Sequence, residues 1–296
     1  MTEGIILLDK PAGQTSFQSL GFLKRALATG RVGHTGTLDR FAEGLLVVLA
    51  GRLTRLCAVA SGMDKEYVSV FTFGKETETL DPEGAVIAEG PLPSLKDIEQ
   101  ALPSFRGEIS QVPPVYSAVH VGGQRASQAA RRGEEVVLAP RTVTVHEMLI
   151  IDYAPPELSV RISCSKGTYV RSLARDLGRR LQTRAFVSRL RRTRVGPFRV
   201  EQAHSPDSLR VERDLLPPGR MFDASTGLGR VSVRPERAEA VSRGARLDAD
   251  LFLGPLPVGL LGAFCGEDLV AVIENSSGAP RYLATFPRER AGEHVR

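Results

Sequence analysis

The sequence predicts an α+β fold: a mixed β-sheet with helices packed on it, followed by a small β-rich unit from about residue 229. Three patterns carry this. Residues 65–73 alternate and are rich in β-branched and aromatic side chains, the period-two signature of a half-buried strand. Val170, Leu173, Ala174, Leu177 and Leu181 recur at i, i+3, i+4, i+7 and i+11, the stripe of an amphipathic helix. From Gly244 to Phe286, short apolar runs are punctuated by Gly, Pro and Asn-Ser-Ser-Gly, a spacing that implies a small β-barrel or sandwich. A chain of 296 residues is long enough for two such domains.

The elements follow in order. Residues 1–10 lack a basic opening and their apolar run is short, so they read as a first strand rather than a signal peptide. Residues 32–50 are loop-rich and then apolar, and 52–61 read as a short helix. After the strand at 65–73, Asp81-Pro82-Glu83-Gly84 is a turn. Residues 95–102 read as a helix. Pro113 and Pro114 stiffen an extended segment over 111–117, which leads into a polar stretch from Gly122 to Gly133. Residues 142–153 and 157–164 form a hairpin around Pro155-Pro156. Thr168, after Gly167, is placed to cap the striped helix. An arginine-studded strand over 185–195 comes next. The turn-rich segments 215–219 and Ser225-Thr226-Gly227 then suggest an interdomain linker.

Composition narrows the functional class. Hydrophobic residues at 42% and charged residues at 25% describe an ordinary globular protein rather than a disordered or fibrous one. No apolar run approaches the roughly 18–20 residues that span a bilayer. Cys57, Cys164 and Cys265 are too far apart in sequence to suggest a disulfide framework or a metal cluster, which suits a reducing cytoplasm, and the histidines are scattered too. A net charge of +5 and a pI of about 9.3 permit a polyanionic partner. Arg184, Arg189, Arg191, Arg192 and Arg194 crowd together, with Arg171, Arg175, Arg179 and Arg180 just upstream. Arginine's planar fork suits phosphate, so nucleic acid is the favoured partner, against the alternative of a solvated strand and helix face.

One carboxylate stands out. Gly33-His34-Thr35-Gly36-Thr37-Leu38-Asp39, followed by Gly44, sets Asp39 after permissive glycines and before an apolar run. Held there, it reads as a presented nucleophile or base; the alternative is an N-cap for a helix beginning near Arg40.

Six motifs in one order closely resemble the bacterial tRNA pseudouridine-55 synthases, the TruB family, over nearly the whole chain. They are the run from Asp9 to Ser16, Gly33–Asp39 with Gly44, Asp64-Lys65-Glu66-Tyr67, the run from Gln111 to Ala118, the run from Cys164 to Arg171, and Leu190-Arg191-Arg192. The resemblance implies a pseudouridine synthase catalytic domain over 1–228, with an RNA-gripping insertion near 105–150, and a PUA-like RNA-binding domain over 229–296. It implies isomerisation of the T-loop uridine at position 55 of tRNA by a cytoplasmic, stand-alone enzyme, expected to be a monomer that needs no guide RNA, membrane or cofactor. Asp39 matches the catalytic aspartate, Tyr67 the active-site tyrosine and Arg171 the arginine that pairs with the aspartate. His34, Tyr169 and Leu190 match residues lining the uridine pocket, and Lys10 belongs to a motif that supports it. The rival class is a non-catalytic tRNA-binding or folding factor of the same architecture.

The residue types suit the chemistry. The reaction breaks a C–N glycosidic bond, turns the base and forms a C–C bond, so no redox partner is required. A carboxylate serves as nucleophile or base, burial raises its pKa, and a neighbouring arginine opposes that rise. The chain departs from the family pattern in three places. Arg40 stands where proline follows the aspartate, so a less rigid loop is expected, and Ala126-Ser127 and His120 replace a Leu-Tyr pair and a lysine in the insertion, weakening its stacking grip.

Overall fold

The computed structural model describes residues 3–222, 228–276 and 278–287. Its strands in chain order are β1 (Gly4–Lys10), β2 (Val32–His34), β3 (Glu43–Ala50), β4 (Lys65–Phe73), β5 (Lys75–Thr77), β6 (Val86–Glu89), β7 (Gly107–Gln111), β8 (His120–Val121) and β9 (Gln124–Arg125). Then come β10 (Arg141–Ala154), β11 (Glu157–Cys164), β12 (Ala185–Val195), β13 (Phe198–Arg199), β14 (Leu228–Ser232), β15 (Gly259–Cys265), β16 (Asp268–Ser276) and β17 (Ala279–Thr285). The helices are α1 (Ser16–Ser19), α2 (Gly21–Ala26), α3 (Cys57–Ser61), α4 (Leu95–Ala101), α5 (Ala126–Arg131), α6 (Val170–Arg180), α7 (Val211–Asp214) and α8 (Ala238–Ser242). The expected α+β architecture with a mixed central sheet is what the chain forms.

The large sheet runs β1-β3-β12-β4-β11-β10-β7, with β2 on β3 and β13 on β12. It is mixed because β3 and β12 run parallel while the other pairs run antiparallel. β3 sits inside the sheet, and its run Gly44–Ala50 is buried on both faces, as a continuous apolar strand requires. At the β3–β12 contact Gly44 has φ +101°, and a Cβ there would lie 2.4 Å from the Arg192 carbonyl oxygen. Only glycine fits this position without backbone movement. Gly33 and Gly36, by contrast, are not in the left-handed region.

The stripe of α6 packs where its periodicity predicts. Val170, Leu173, Ala174 and Leu177 join Phe71, Phe73, Ile162 and Val187 in one core, which Leu38 and Ala42 also enter. Leu38 and Ala42 thus anchor both sides of Asp39, on a segment that otherwise lacks regular structure. Thr168 does not cap the helix: Tyr169 takes that place with no side-chain cap, and the Thr168 hydroxyl donates to the Ser165 carbonyl at 3.0 Å.

The segment 215–219 is not a free linker. Ile5 N–H donates to Leu216 O at 2.9 Å and Leu216 N–H to Ile5 O at 2.8 Å, which pins it to β1. Ser225-Thr226-Gly227 lie outside the described residues. The last strands form a four-stranded sheet in the order β14-β15-β16-β17. Its ladder is an open path among the described residues rather than a closed barrel. This sheet shares a core with the first: Phe222, Phe264, Leu269, Val272 and Phe286 pack in one cluster with Ile5, Leu7, Leu45 and Leu49. No helix among the described residues is long and apolar enough to cross a membrane.

Candidate active site

Asp39 does not cap a helix. Residues 40–42 are irregular and β3 begins at Glu43. Its loop is held from three sides. The Leu38 N–H donates to Ser16 Oγ at 2.9 Å, and that hydroxyl donates back to Leu38 O at 3.1 Å. The Gly13 N–H donates to Arg40 O at 2.8 Å, and Arg40 Nε to Gly13 O at 3.0 Å. Arg192, from β12, donates through Nη2 to Gly36 O at 3.0 Å and through Nε to Leu45 O at 2.7 Å. Arg40 also lies 3.8 Å from Glu83. Arg40, where a less rigid loop is expected, thus brings a side-chain tie of its own from the loop to the segment after β1.

The carboxylate faces a buried guanidinium. Arg171, in the first turn of α6, is 3% exposed; its Nη2 donates to Asp39 Oδ1 at 3.1 Å, and its Nε lies 2.9 Å from Oδ2, off a good hydrogen-bond axis. Nη1 lies 3.3 Å from Asp81 Oδ2 and donates to Thr79 O at 2.7 Å, while Nη2 also donates to Tyr116 O at 2.9 Å. One cation thus serves two carboxylates and fixes the turn at residues 79–81. In sequence Asp81 reads only as part of a turn, because nothing in Asp-Pro-Glu-Gly announces a tertiary partner.

Protein walls around Asp39 raise its pKa by desolvation, the Arg171 charge lowers it, and the Asp81 charge raises it again. The side chain still keeps 38% of its surface open to the cavity. Contact with solvent and a desolvating surround coexist in a concave site, and the upward direction follows from the walls.

Asp39, Tyr67, Tyr169, Leu190 and Arg171 line one cavity, joined by Lys65 and Arg192. The cavity also reaches Arg125, Ser127 and Arg131 of the segment around α5. Tyr67 extends from β4 and is buried, and burial pushes its phenol up to about 12, with the Arg192 charge opposing. Tyr169 is clamped by Gln111, which accepts from its N–H at 2.8 Å and donates to its carbonyl at 3.2 Å. Leu190 serves the core and the cavity wall together.

The remaining two predicted residues sit behind the wall. Lys10 is fully buried, donating to Gln14 O at 2.7 Å and Pro11 O at 2.9 Å. Burial lowers its pKa to about 8, against the pull of Asp39. His34, on β2, has its pKa lowered by burial and by the Arg192 charge. Neither lines the cavity, so each reaches Asp39 or its loop only indirectly.

Part of the arginine-rich strand is turned to partners within the chain. Arg192 is 1% exposed, Arg191 pairs with Asp9 at 2.8 Å and Glu43 at 3.3 Å, and Arg189 lies 3.6 Å from Glu157. Arg175 and Arg179 are paired with Asp176 and Glu76. Arg191 and Arg192 thus compensate acids or carbonyls of the chain itself, while the Arg189 side chain is 74% exposed, so only part of this strand is open to the phosphate contacts expected of it.

Comparison with known proteins follows this geometry. Residues 24–170 match the family model described as TruB family pseudouridylate synthase (N terminal domain), and residues 171–212 match the tRNA pseudouridylate synthase B C-terminal domain. Over 206 residues the chain is 46% identical to the tRNA pseudouridine synthase B of Borreliella burgdorferi (strain ZS7), covering 69% of this chain and 73% of that protein. It is 38% identical over 297 residues to the protein of the same name from Thermobifida fusca (strain YX), covering 97% and 99%. Among solved structures, a chain of a Cbf5-Nop10-Gar1 complex superposes with a TM-score of 0.72 at 26% identity, covering 97% of this chain and 84% of that one.

Proposed function

The chain belongs to the TruB family of pseudouridylate synthases, and from that premise we propose that it converts uridine to pseudouridine in tRNA, at position 55 of the T-loop. One observation carries the reading: a carboxylate held by a buried arginine at the wall of an open cavity, with a buried tyrosine on the same wall.

In this reading the target base leaves its stack, at a cost of a few kcal/mol that is smaller for a loop than for a duplex. Asp39 acts on the exposed sugar as nucleophile or base, and Arg171 keeps it ionised and aimed. Tyr67 stacks on the uracil and, with its phenol held protonated, donates or relays a proton. Tyr169 and Leu190 shape the base's pocket; Lys10 and His34 support the loop from behind. The insertion over 105–150 grips the RNA, and the unit over 229–296 is a PUA-like domain that adds affinity beyond the catalytic domain over 1–228. The chain works in the cytoplasm as a monomer that needs neither guide RNA nor membrane. The rival reading, a tRNA-binding factor without turnover, is motivated by Arg40 and by Ala126-Ser127 and His120 in the insertion; the ties from Arg40 to Gly13 and Glu83 weaken the first motive, and Asp39, Tyr67 and Arg171 together argue against it.

The test is to incubate purified protein with unmodified tRNA transcript and map pseudouridine chemically. Conversion at one T-loop uridine is the expected result. Tight binding with no conversion would favour the binding factor, and conversion elsewhere a different specificity.

A further inference from the structure

Lys65 and Arg192 are the two buried cations of the cavity wall that lack a carboxylate partner among the described residues; Arg125 and Arg131, on the same wall, are exposed. The Lys65 ammonium, 7% exposed, donates to the carbonyls of Ser61, at 2.8 Å, and Met63. An ammonium has three donors, so one remains. Arg192 spends its buried fork on the carbonyls of Leu45, Gly36 and Thr37. The two converge on one spot: a methyl group built on Gly36 would lie 3.6 Å from Arg192 Nη1 and 3.7 Å from Lys65 Cε. Lys65 stands two residues before Tyr67 on β4, and both line the cavity that Asp39 lines.

Arg171 is balanced by Asp39 and Asp81, but this pair is not balanced. Keeping buried cations without a counter-charge costs several kcal/mol, a cost that structure alone does not explain. Burial pulls the Lys65 ammonium down to about 8, and the Arg192 charge pulls the same way.

We propose that Lys65, backed by Arg192, is a catalytic residue that takes up the negative charge of the detached uracil. The inference rests on the uridine-isomerising reading of this cavity. Whether Asp39 attacks C1′ or removes a sugar proton, the C1′–N1 bond breaks and its electron pair leaves with the base, spreading over N1, O2 and O4. Those electrons then form the C5–C1′ bond. The hydrogen on C5 leaves as a proton and N1 gains one, so the sequence is redox-neutral and needs no co-reactant. A fixed cation facing the ring's carbonyl oxygens lowers the barrier only while the ring carries charge, which is differential stabilisation.

The experiment compares wild type, Lys65→Met and Lys65→Arg in single-turnover conversion and in filter binding. The substrates are tRNA transcript and the same transcript carrying 5-fluorouridine, with loss of the starting nucleotide as the readout. Fluorine acidifies the ring, so the base leaves as an anion with less help. Lys65→Met should slow conversion of uridine by roughly 100-fold, the scale of losing one preorganised donor, with little change in affinity. Its deficit should shrink on the fluorinated substrate, and Lys65→Arg should recover part of the rate. Lys65→Met also takes a donor from the Ser61 and Met63 carbonyls, so a modest drop in melting temperature is expected; it is measured by circular dichroism, and rates are compared well below it. An equal deficit on both substrates, a deficit matched by lost affinity or lost fold, or no deficit at all overturns the role of Lys65 alone. A wild-type chain inert on tRNA overturns the proposed activity and this inference with it.

Discussion

At the residue scale, Arg171 decides what Asp39 can do, because its one guanidinium is shared by two carboxylates and two carbonyls. Asp39 and Arg171 were legible in the sequence because both lie in runs with recognisable spacing. Asp81 was not, since its partner is 90 residues away and its own neighbourhood spells a turn. This gives a prediction with a sign. The Asp81 charge raises the pKa of Asp39, so Asp81→Asn lowers it. The acid limb of the pH–rate profile, where Asp39 becomes protonated and inactive, should shift to lower pH, while the plateau falls because Arg171 loses a partner. The measurement is single-turnover rate against pH for both proteins. An unmoved limb would mean that the two carboxylates are not coupled through space, and one that moves to higher pH that Asp81 acts on Asp39 chiefly by positioning Arg171.

At the element scale, α6 and β4 were readable because one face is apolar at a clean period and the other is not. β12 was legible in extent but only partly in function. Its arginines read as a phosphate-binding stripe, but packing between β3 and β4 turns Arg192 inward and gives Arg191 to Asp9 and Glu43. A sequence lists charges without their partners, and only the parallel β3–β12 pairing brings these together. Accordingly Arg192→Met should leave the salt dependence of tRNA binding unchanged, since no phosphate contact is lost. It should lower unfolding stability by about 1–3 kcal/mol or more, because the carbonyls of Gly36 and Leu45 lose their donor. Urea denaturation and binding at several salt concentrations check both halves. A flattened salt slope with stability intact would restore Arg192 to the RNA surface.

At the scale of the whole molecule, the sequence showed a β-rich tail and a turn-rich join but not how closely the two sheets are welded. The join is bonded to β1 through Leu216, and Phe264, Leu269, Val272 and Phe286 complete a core that begins with Ile5 and Leu7. Side chains of this kind contribute about 1.5–3 kcal/mol each when fully buried. A chain ending at residue 228 should therefore melt well below the full-length protein, besides binding tRNA more weakly. Thermal unfolding by circular dichroism measures it, and an unchanged melting temperature would show that the shared core contributes nothing.

The account of the whole molecule converges on one carboxylate, and Asp39→Asn tests it most directly. The substitution keeps the shape of the side chain and removes its charge, and an amide cannot act as nucleophile or base. The measurement is single-turnover pseudouridine formation on tRNA transcript, beside a filter-binding titration of the same preparation. Formation should disappear while affinity changes little, because most of the binding comes from contacts to phosphate and stacked bases elsewhere. Substantial residual isomerisation by a sequence-verified Asn variant would contradict the assignment of Asp39 and the mechanism built on it.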